Sequence, residues 1–294
     1  PVSSTASPAD PAFAKIRDLI YSIAGIYHSK EKLYLLASRC ARRMAALNVS
    51  TPGEYLEHLT TRGNRTAELR LLLNEITIGE TYMFRHPAQL DALRDVVIPQ
   101  ILEAKNLIGL KKIRFWCAGC STGEEPHTLA MLLLEEKDRR TAGWTFDILA
   151  TDLNDNSLEA ARAGVYNEYA LRNTTPALRR KYFTDAGDKK LKATDQLKSQ
   201  IRFDRLNLSD DSKMVFQKGI DVIFCCNVLI YFDLTSKRRV VEHFFSNLMP
   251  GGYLFLGHAE SLYQVDDSFK LVHFAGTTGY RKPTVAPPSA GGKK

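Results

Sequence analysis

No apolar run in the 294 residues reaches the ~18–20 that a membrane-spanning helix requires, which excludes an integral membrane protein built of helices. Cysteine is scarce and odd in number, with five at Cys40, Cys117, Cys120, Cys225 and Cys226. The stretch Pro1 to Asp10 is small and polar and lacks the apolar centre of a signal peptide. These features point to a cytoplasmic chain with reduced thiols and exclude a disulfide-stapled scaffold. Glycine (18) and proline (12) are too few for a collagenous or low-complexity chain, and no internal repeat is present. What is there is a globular composition, 44% hydrophobic and 25% charged, long enough for two domains at ~150 residues each. Lys and Arg number 40 against 33 Asp and Glu, a net charge of +7. That surplus suits an acidic partner, whether nucleic acid, a membrane surface or an acidic protein helix. Nothing requires an oligomer, and a monomer is the default.

Up to about Arg85 the pattern is helical. Leu33, Leu36, Cys40, Met44 and Leu47 recur at three- and four-residue steps as one apolar face, with Ser29 as N-cap. Thr51-Pro52-Gly53-Glu54 opens another helix with a cap and a proline in its first turn. A further helix is expected over Pro87 to Ala104. From Ile113 the pattern becomes strand, turn, helix, strand, which specifies a parallel sheet with crossover helices. Strands are expected at Ile113 to Cys117, Phe146 to Thr151, Asp221 to Cys226 and Tyr253 to Gly257, and helices at Glu124 to Lys137, Asn154 to Ala163 and Thr235 to Leu248. Pro250-Gly251-Gly252 reads as the turn before the last strand. Tyr169 to Phe203 interrupts the alternation as a basic insert, with eight Lys or Arg against three Asp between residues 170 and 200. Pro283 to Lys294, rich in Pro, Gly and Ser, reads as a disordered tail.

The chemistry-bearing stretch is Phe115-Trp116-Cys117-Ala118-Gly119-Cys120-Ser121-Thr122-Gly123-Glu124-Glu125-Pro126, a strand, a glycine turn and a helix. Glycines there let a ligand approach the backbone at the carboxyl end of a sheet. The spacing is Gly-x-x-x-Gly, not Gly-x-Gly-x-x-Gly, and no lysine-containing phosphate loop is present, so a nucleoside without phosphates is the ligand class that remains. S-adenosylmethionine fits it. The next strand ends at Asp152, where an acid accepts hydrogen bonds from ribose hydroxyls; the competing reading is a helix N-cap.

Thr81-Tyr82-Met83-Phe84-Arg85, the stretch Trp116 to Pro126, Phe224-Cys225-Cys226-Asn227-Val228-Leu229-Ile230-Tyr231-Phe232-Asp233, and Pro250-Gly251-Gly252 with Gly257-His258-Ala259-Glu260-Ser261 occur in this order. In them the chain resembles the chemotaxis-receptor glutamate O-methyltransferases of the CheR type, over nearly its whole length to about Arg281. The resemblance implies an α/β fold, a Rossmann-like class I S-adenosylmethionine methyltransferase domain with an N-terminal all-helical domain and a small inserted antiparallel β subdomain. The implied boundaries are residues 1–88 for a helical, receptor-docking domain, 89–108 for a linker helix, 109–282 for the methyltransferase domain with its insert at about 169–203, and 283–294 for the tail. The family's cofactor contacts map to Thr81, Arg85, Glu125, Asp152, Asn207, Leu208, Cys226 and Asn227, and the implied catalytic residues are Arg85 and Tyr231. Gly79 stands where many members have asparagine, and Cys226 where they usually have arginine. The implied reaction methylates receptor glutamates and leaves S-adenosylhomocysteine. The implied partner is the acidic cytoplasmic helices of chemoreceptors, met by a basic helix carrying Lys32, Arg39, Arg42 and Arg43. The short hairpin around Thr184 to Lys190 suggests no tether to a receptor C-terminal pentapeptide.

Rival readings attach to several residues. Cys117-x-x-Cys120 has no second cysteine pair and no histidine at ligand spacing, so packed thiols are favoured over metal. Cys225 and Cys226 end a buried strand with no partner base, which favours packing over a nucleophile. Lys32, Arg39, Arg42 and Arg43 could equally be a solvated face, and His258 a structural residue. The alternative functions are a nucleic-acid methyltransferase, against which the missing Asn-Pro-Pro turn argues, and a non-catalytic S-adenosylmethionine-binding module.

Overall fold

The structure is a computed structural model that describes residues 10–284 apart from Arg62, Asn64, Ile78, Asp138, Arg139 and Phe216. The tail expected at 283–294 lies, from residue 285 on, outside the described residues, as do residues 1–9. The chain divides into two compact units, one formed by the residues up to Gly79 with Ile230–Ser236, the other by Glu80–Leu229 with the residues from Lys237 on.

The first unit is helical. Helix α1 (Pro11–Ala24) starts where the Asp10 carboxylate accepts the Ala12 N–H at 2.8 Å and ends at Gly25, whose φ of 68° suits a residue without Cβ. Helix α2 spans Leu33–Leu47, and its residues Leu36, Cys40 and Met44 are buried. Ser29 precedes a single 3-10 turn over Lys30–Lys32 and makes no side-chain capping bond, so α2 begins later than the sequence pattern placed it. Helix α3 (Pro52–Thr60) has the full reciprocal cap, Thr51 Oγ1 accepting from Glu54 N and Glu54 accepting from Thr51 N. Helix α4 (Arg65–Ile76) closes the unit. Glu68 on α4 is buried, and Arg43 holds it through two bonds of 3.0 and 2.8 Å while Tyr55 donates to it at 2.8 Å. Ile230–Ser236 joins this unit through Tyr27 N–H to Tyr231 O (2.9 Å), an antiparallel bridge between Ile26 and Phe232, and Tyr21 OH to Asp233 (2.9 Å).

The second unit opens with a continuous helical rod of α5 (Pro87–Ala92), one π-turn (Leu93–Val97) and α6 (Ile98–Asn106). Pro99 has no N–H to give, and the wide turn before it accommodates its ring. Ten strands follow: β1 Lys112–Ala118, β2 Thr145–Asp152, β3 Val165–Asn167, β4 Phe183–Asp185, β5 Lys190–Ala193, β6 Ile201–Arg205, β7 Ile220–Cys225, β8 Leu248–Leu256, β9 Lys270–Phe274 and β10 Thr277–Arg281. Seven form one sheet in the order β6-β2-β1-β7-β8-β10-β9, parallel through β8 and antiparallel at the last two. Every residue of β7 is buried, as a central parallel strand covered on both faces must be. Helices α7 (Glu124–Lys137) and α8 (Asp155–Ala163) follow β1 and β2, and a helix at Leu234–Asn247 precedes β8. The insert is a separate antiparallel sheet, β3-β5-β4.

Other features also depart from the sequence pattern. Pro250-Gly251-Gly252 is not a turn but part of β8, because Gly251 N–H and Gly252 C=O bond Lys282 and extend the strand past a bulge at Ile220/Val222. The hairpin β9–β10 was not expected, and it closes on Gly276 at a φ of 73°.

Candidate active site

Because β1 pairs with β2 on one side and β7 on the other, the chain turns opposite ways from the carboxyl end of β1, the position where open α/β sheets bind ligands. The glycine turn sits there. Gly119 and Cys120 both donate to Thr151 O at 2.8 and 2.9 Å, locking the turn onto the end of β2. Gly119, Ser121 and Gly123 take φ values of 82°, 49° and 92°. A Cβ on Gly119 would lie 2.4 Å from Val228 Cγ2, and one on Gly123 2.8 Å from Ala161 Cβ, so both positions leave room only for glycine.

Asp152 ends β2. Its Oδ2 accepts Ser121 N–H and its Oδ1 accepts Asn154 N–H, each at 2.8 Å. The carboxylate thus does cap the following loop, yet it also braces the glycine turn, and it keeps acceptor capacity for a ligand hydroxyl. Burial raises its pKa against those backbone bonds. Leu206 N–H donates to Asp152 O at 3.0 Å, which brings Asn207 and Leu208 beside it. Asn207 Oδ1 accepts Ser209 N–H at 3.1 Å, and Leu208 O meets His243 Nδ1 at 3.0 Å.

Glu125 lies in the first turn of α7, where the helix dipole favours an acid. Its Oε1 is shut off from solvent and has no hydrogen-bond partner. Burial pushes its pKa up to about 7, opposed by the thiols of Cys117 and Cys226 and the charge of Arg85, and reinforced by Glu260. Arg85 ends a loop held by Met83 N–H to Ala170 O (2.9 Å) and Phe84 N–H to Thr128 Oγ1 (3.1 Å), with Phe84 at a φ of 56°. The Arg85 guanidinium donates to Glu80 O and lies 5.6 Å from the Tyr82 ring centre. Thr81, half-buried, is on the same loop. After β7, Cys226 Sγ points to Gln89 Oε1 at 3.6 Å, and Gln89 Nε2 bonds Leu256 O at 2.6 Å. Asn227 has a φ of 62° and a buried Oδ1 with no partner.

Thr81, Arg85, Glu125, Asp152, Asn207, Leu208, Cys226 and Asn227 therefore belong to one unit, while Tyr231 belongs to the helical unit through the segment after Leu229. Two residues to which the sequence assigns no site role also stand here. His86 is half-buried with both ring nitrogens shut off from solvent, its ring centre 5.1 Å from that of His258, and desolvation holds its pKa down at about 4 against the opposing effect of Asn227. Glu260 accepts from Asn227 N–H and Gly257 N–H. Only adjacency to the Arg85 and Gly-His-Ala-Glu motifs signals either one. All five cysteines are unpaired, and among the described residues no three His, Cys, Asp or Glu group as metal ligands would.

The residues fit S-adenosylmethionine. Glu125 Oε1 and Asn227 Oδ1 are acceptors suited to a cationic donor, and Asp152 to a ribose.

The family model described as "CheR methyltransferase, SAM binding domain" matches residues 79–277, and "CheR methyltransferase, all-alpha domain" matches residues 11–77. The chain is 33% identical to "Chemotaxis protein methyltransferase 2" of Vibrio cholerae over 282 residues, 93% of each chain. It is 35% identical to "Probable chemotaxis protein methyltransferase" of Rhizobium etli, covering 90% of this chain and 97% of that one. A 32% identical relative is "Chemotaxis protein methyltransferase" of Escherichia coli, covering 90% and 88%. With the glycine turn, the acid at the end of β2 and the helical unit before them, these matches show that the chain belongs to the CheR family of S-adenosylmethionine-dependent methyltransferases.

Proposed function

We propose that the enzyme methylates glutamate side-chain carboxylates of chemoreceptors, in the cytoplasm, forming methyl esters. The observation that carries this reading is the pair of buried, unpartnered acceptors, Glu125 Oε1 and Asn227 Oδ1, beside Asp152 at the carboxyl edge of the sheet.

When bound, S-adenosylmethionine supplies an electrophilic methyl carbon; a carboxylate oxygen forms the C–O bond as the C–S bond breaks, and the electron pair stays on sulfur. A glutamate carboxylate, with a pKa near ~4.3, is already ionised at neutral pH, so the chain needs no general base. Its task is to align and to dehydrate. Asp152 holds ribose hydroxyls on its remaining lone pairs, with Asn207 and Leu208 beside it. Glu125 and Asn227 accept from the amino end of the cofactor. Cys226, in place of a longer side chain, gives the cofactor its backbone and fills the wall towards Gln89. Arg85, its guanidinium already oriented by Glu80 O, aligns the acceptor carboxylate through its donor fork. Tyr231 contributes a phenol hydroxyl, a role that Tyr231→Phe isolates. Receptor engagement proceeds without a C-terminal pentapeptide tether, and a titration of such a peptide is expected to show no micromolar binding.

The decisive measurement is transfer of labelled methyl to membranes containing chemoreceptors, followed by mild alkali. Label released as methanol, and lost in Arg85→Ala and Asp152→Ala, is the expected result. Base-stable label on nucleic acid, or cofactor binding with no transfer to any receptor, would overturn the reading.

A further inference from the structure

Glu260 lies outside every element that carries the proposed cofactor contacts, yet its carboxylate reaches back to the edge of the sheet. Its Oε2 accepts Asn227 N–H at 2.7 Å and Gly257 N–H at 2.8 Å. Asn227 follows the end of β7 by two residues, and Gly257 follows β8 directly, so one oxygen joins the chain just past two neighbouring parallel strands. The Glu260 N–H in turn donates to Gly257 O at 2.9 Å, which fixes the turn that delivers the carboxylate.

The geometry leaves no slack. Asn227 sits at a φ of 62°, in the left-handed region that asparagine enters more readily than other side-chain-bearing residues. A Cβ on Gly257 would lie 2.8 Å from Glu260 Oε2 and 2.9 Å from Asn227 N, so the staple closes only over a glycine. Hydrogen bonds to a carboxylate are short and strong, and two of them fix the direction in which the Asn227 backbone leaves the strand. That direction sets the Asn227 side chain, whose Oδ1 is buried without a partner.

We propose that Glu260 is a positioning residue for the cofactor: it staples the chain after β7 to the chain after β8 and thereby aims the Asn227 amide into the site. The inference rests on the assignment of Asn227 as a cofactor contact given above. It acts through Asn227 and touches no reacting atom.

The test uses the full chain with Glu260→Ala, Glu260→Gln and Asn227→Ala, titrated calorimetrically with S-adenosylhomocysteine, alongside melting temperatures and the KM values for S-adenosylmethionine and for receptor membranes. Glu260→Ala is expected to weaken product binding by about tenfold or more, the size set by losing hydrogen bonds to a charged acceptor. The KM for S-adenosylmethionine rises in parallel and the KM for receptor membranes is unchanged. Glu260→Gln keeps an oxygen that accepts both N–H groups and restores affinity to within about threefold. The proposal falls if Glu260→Ala binds like the parent, if Glu260→Gln fails as badly as Glu260→Ala, or if affinity is lost only in proportion to melting temperature. Unchanged affinity in Asn227→Ala would instead remove Asn227 from the site, and the proposal with it, while leaving the reaction itself untouched.

Discussion

Glu125 is a buried acid whose proton has a functional consequence. Burial raises its pKa to about 7, above the ordinary 4.5 of an exposed glutamate. The folded chain therefore keeps a proton that the unfolded chain has already lost, and the stability contributed by this group falls as the pH rises from about 4.5 to about 7. A cationic ligand end reverses the preference, because it favours the ionised carboxylate. Affinity for S-adenosylhomocysteine is accordingly expected to rise between pH 6 and pH 8, about the value of 7 held by Glu125 in the free protein. In Glu125→Gln that pH dependence disappears, and binding is weaker at the upper end. Calorimetric titration across this range reads both; an unchanged slope in the Gln variant would show that another group titrates. His86, held down at about 4, stays neutral throughout.

The glycine turn after β1 makes an equally specific demand. Gly119→Ala places a methyl against Val228 at a φ of 82°, so it meets both a clash and a left-handed backbone. The left-handed conformation alone costs ~1–2 kcal/mol, and the clash adds to it. Urea unfolding is expected to show a loss above that range, and a second substitution, Val228→Ala, should recover only the steric part. Equal stability of the single variant and the parent would contradict the turn geometry. These elements were legible in the sequence because their signals are local: Gly-x-x-x-Gly after an apolar run, the Thr51–Glu54 cap, and the bounds of α7. Elements whose partners are distant in sequence were not legible. Pro250 to Gly252 looked like a turn because nothing nearby announces that Lys282 will pair with Gly251 and Gly252. Glu260 and His86 escaped for the same reason: their significance lies in what they face, not in their spacing. Ile230–Ser236 gave no sign, within an otherwise continuous α/β pattern, that it would bond Tyr21 and Tyr27 of the helical unit.

At the scale of the whole molecule, the surplus of positive charge raises the question of which basic side chains are available to an acidic partner. The basic residues Lys32, on the turn before the second helix, and Arg39, Arg42 and Arg43, on that helix, do not play one part. Arg43 is committed to Glu68 by two bonds, with Tyr55 completing the cluster in the interior of the helical unit. Arg42 is half exposed and pairs with Glu75 at 3.3 Å, an arrangement that contributes little to stability. Lys32 is exposed on the preceding turn and Arg39 is partly exposed. Arg43→Ala would strand the buried Glu68 carboxylate, a change that costs ~3–5 kcal/mol in comparable sites, so its expected effect is a lowered melting temperature. Joint replacement of Lys32, Arg39 and Arg42 by alanine should leave the melting temperature and the affinity for S-adenosylhomocysteine unchanged. The same variant should raise the KM for receptor membranes about tenfold and flatten its dependence on salt, since rim charges act on encounter and are screened within ~8–10 Å. Methyl-transfer rates measured from low to high ionic strength distinguish the two classes. If the triple variant keeps the parent KM and the parent salt dependence, the acidic partner meets some other face, and the basic insert between Arg172 and Lys198 becomes the next surface to neutralise.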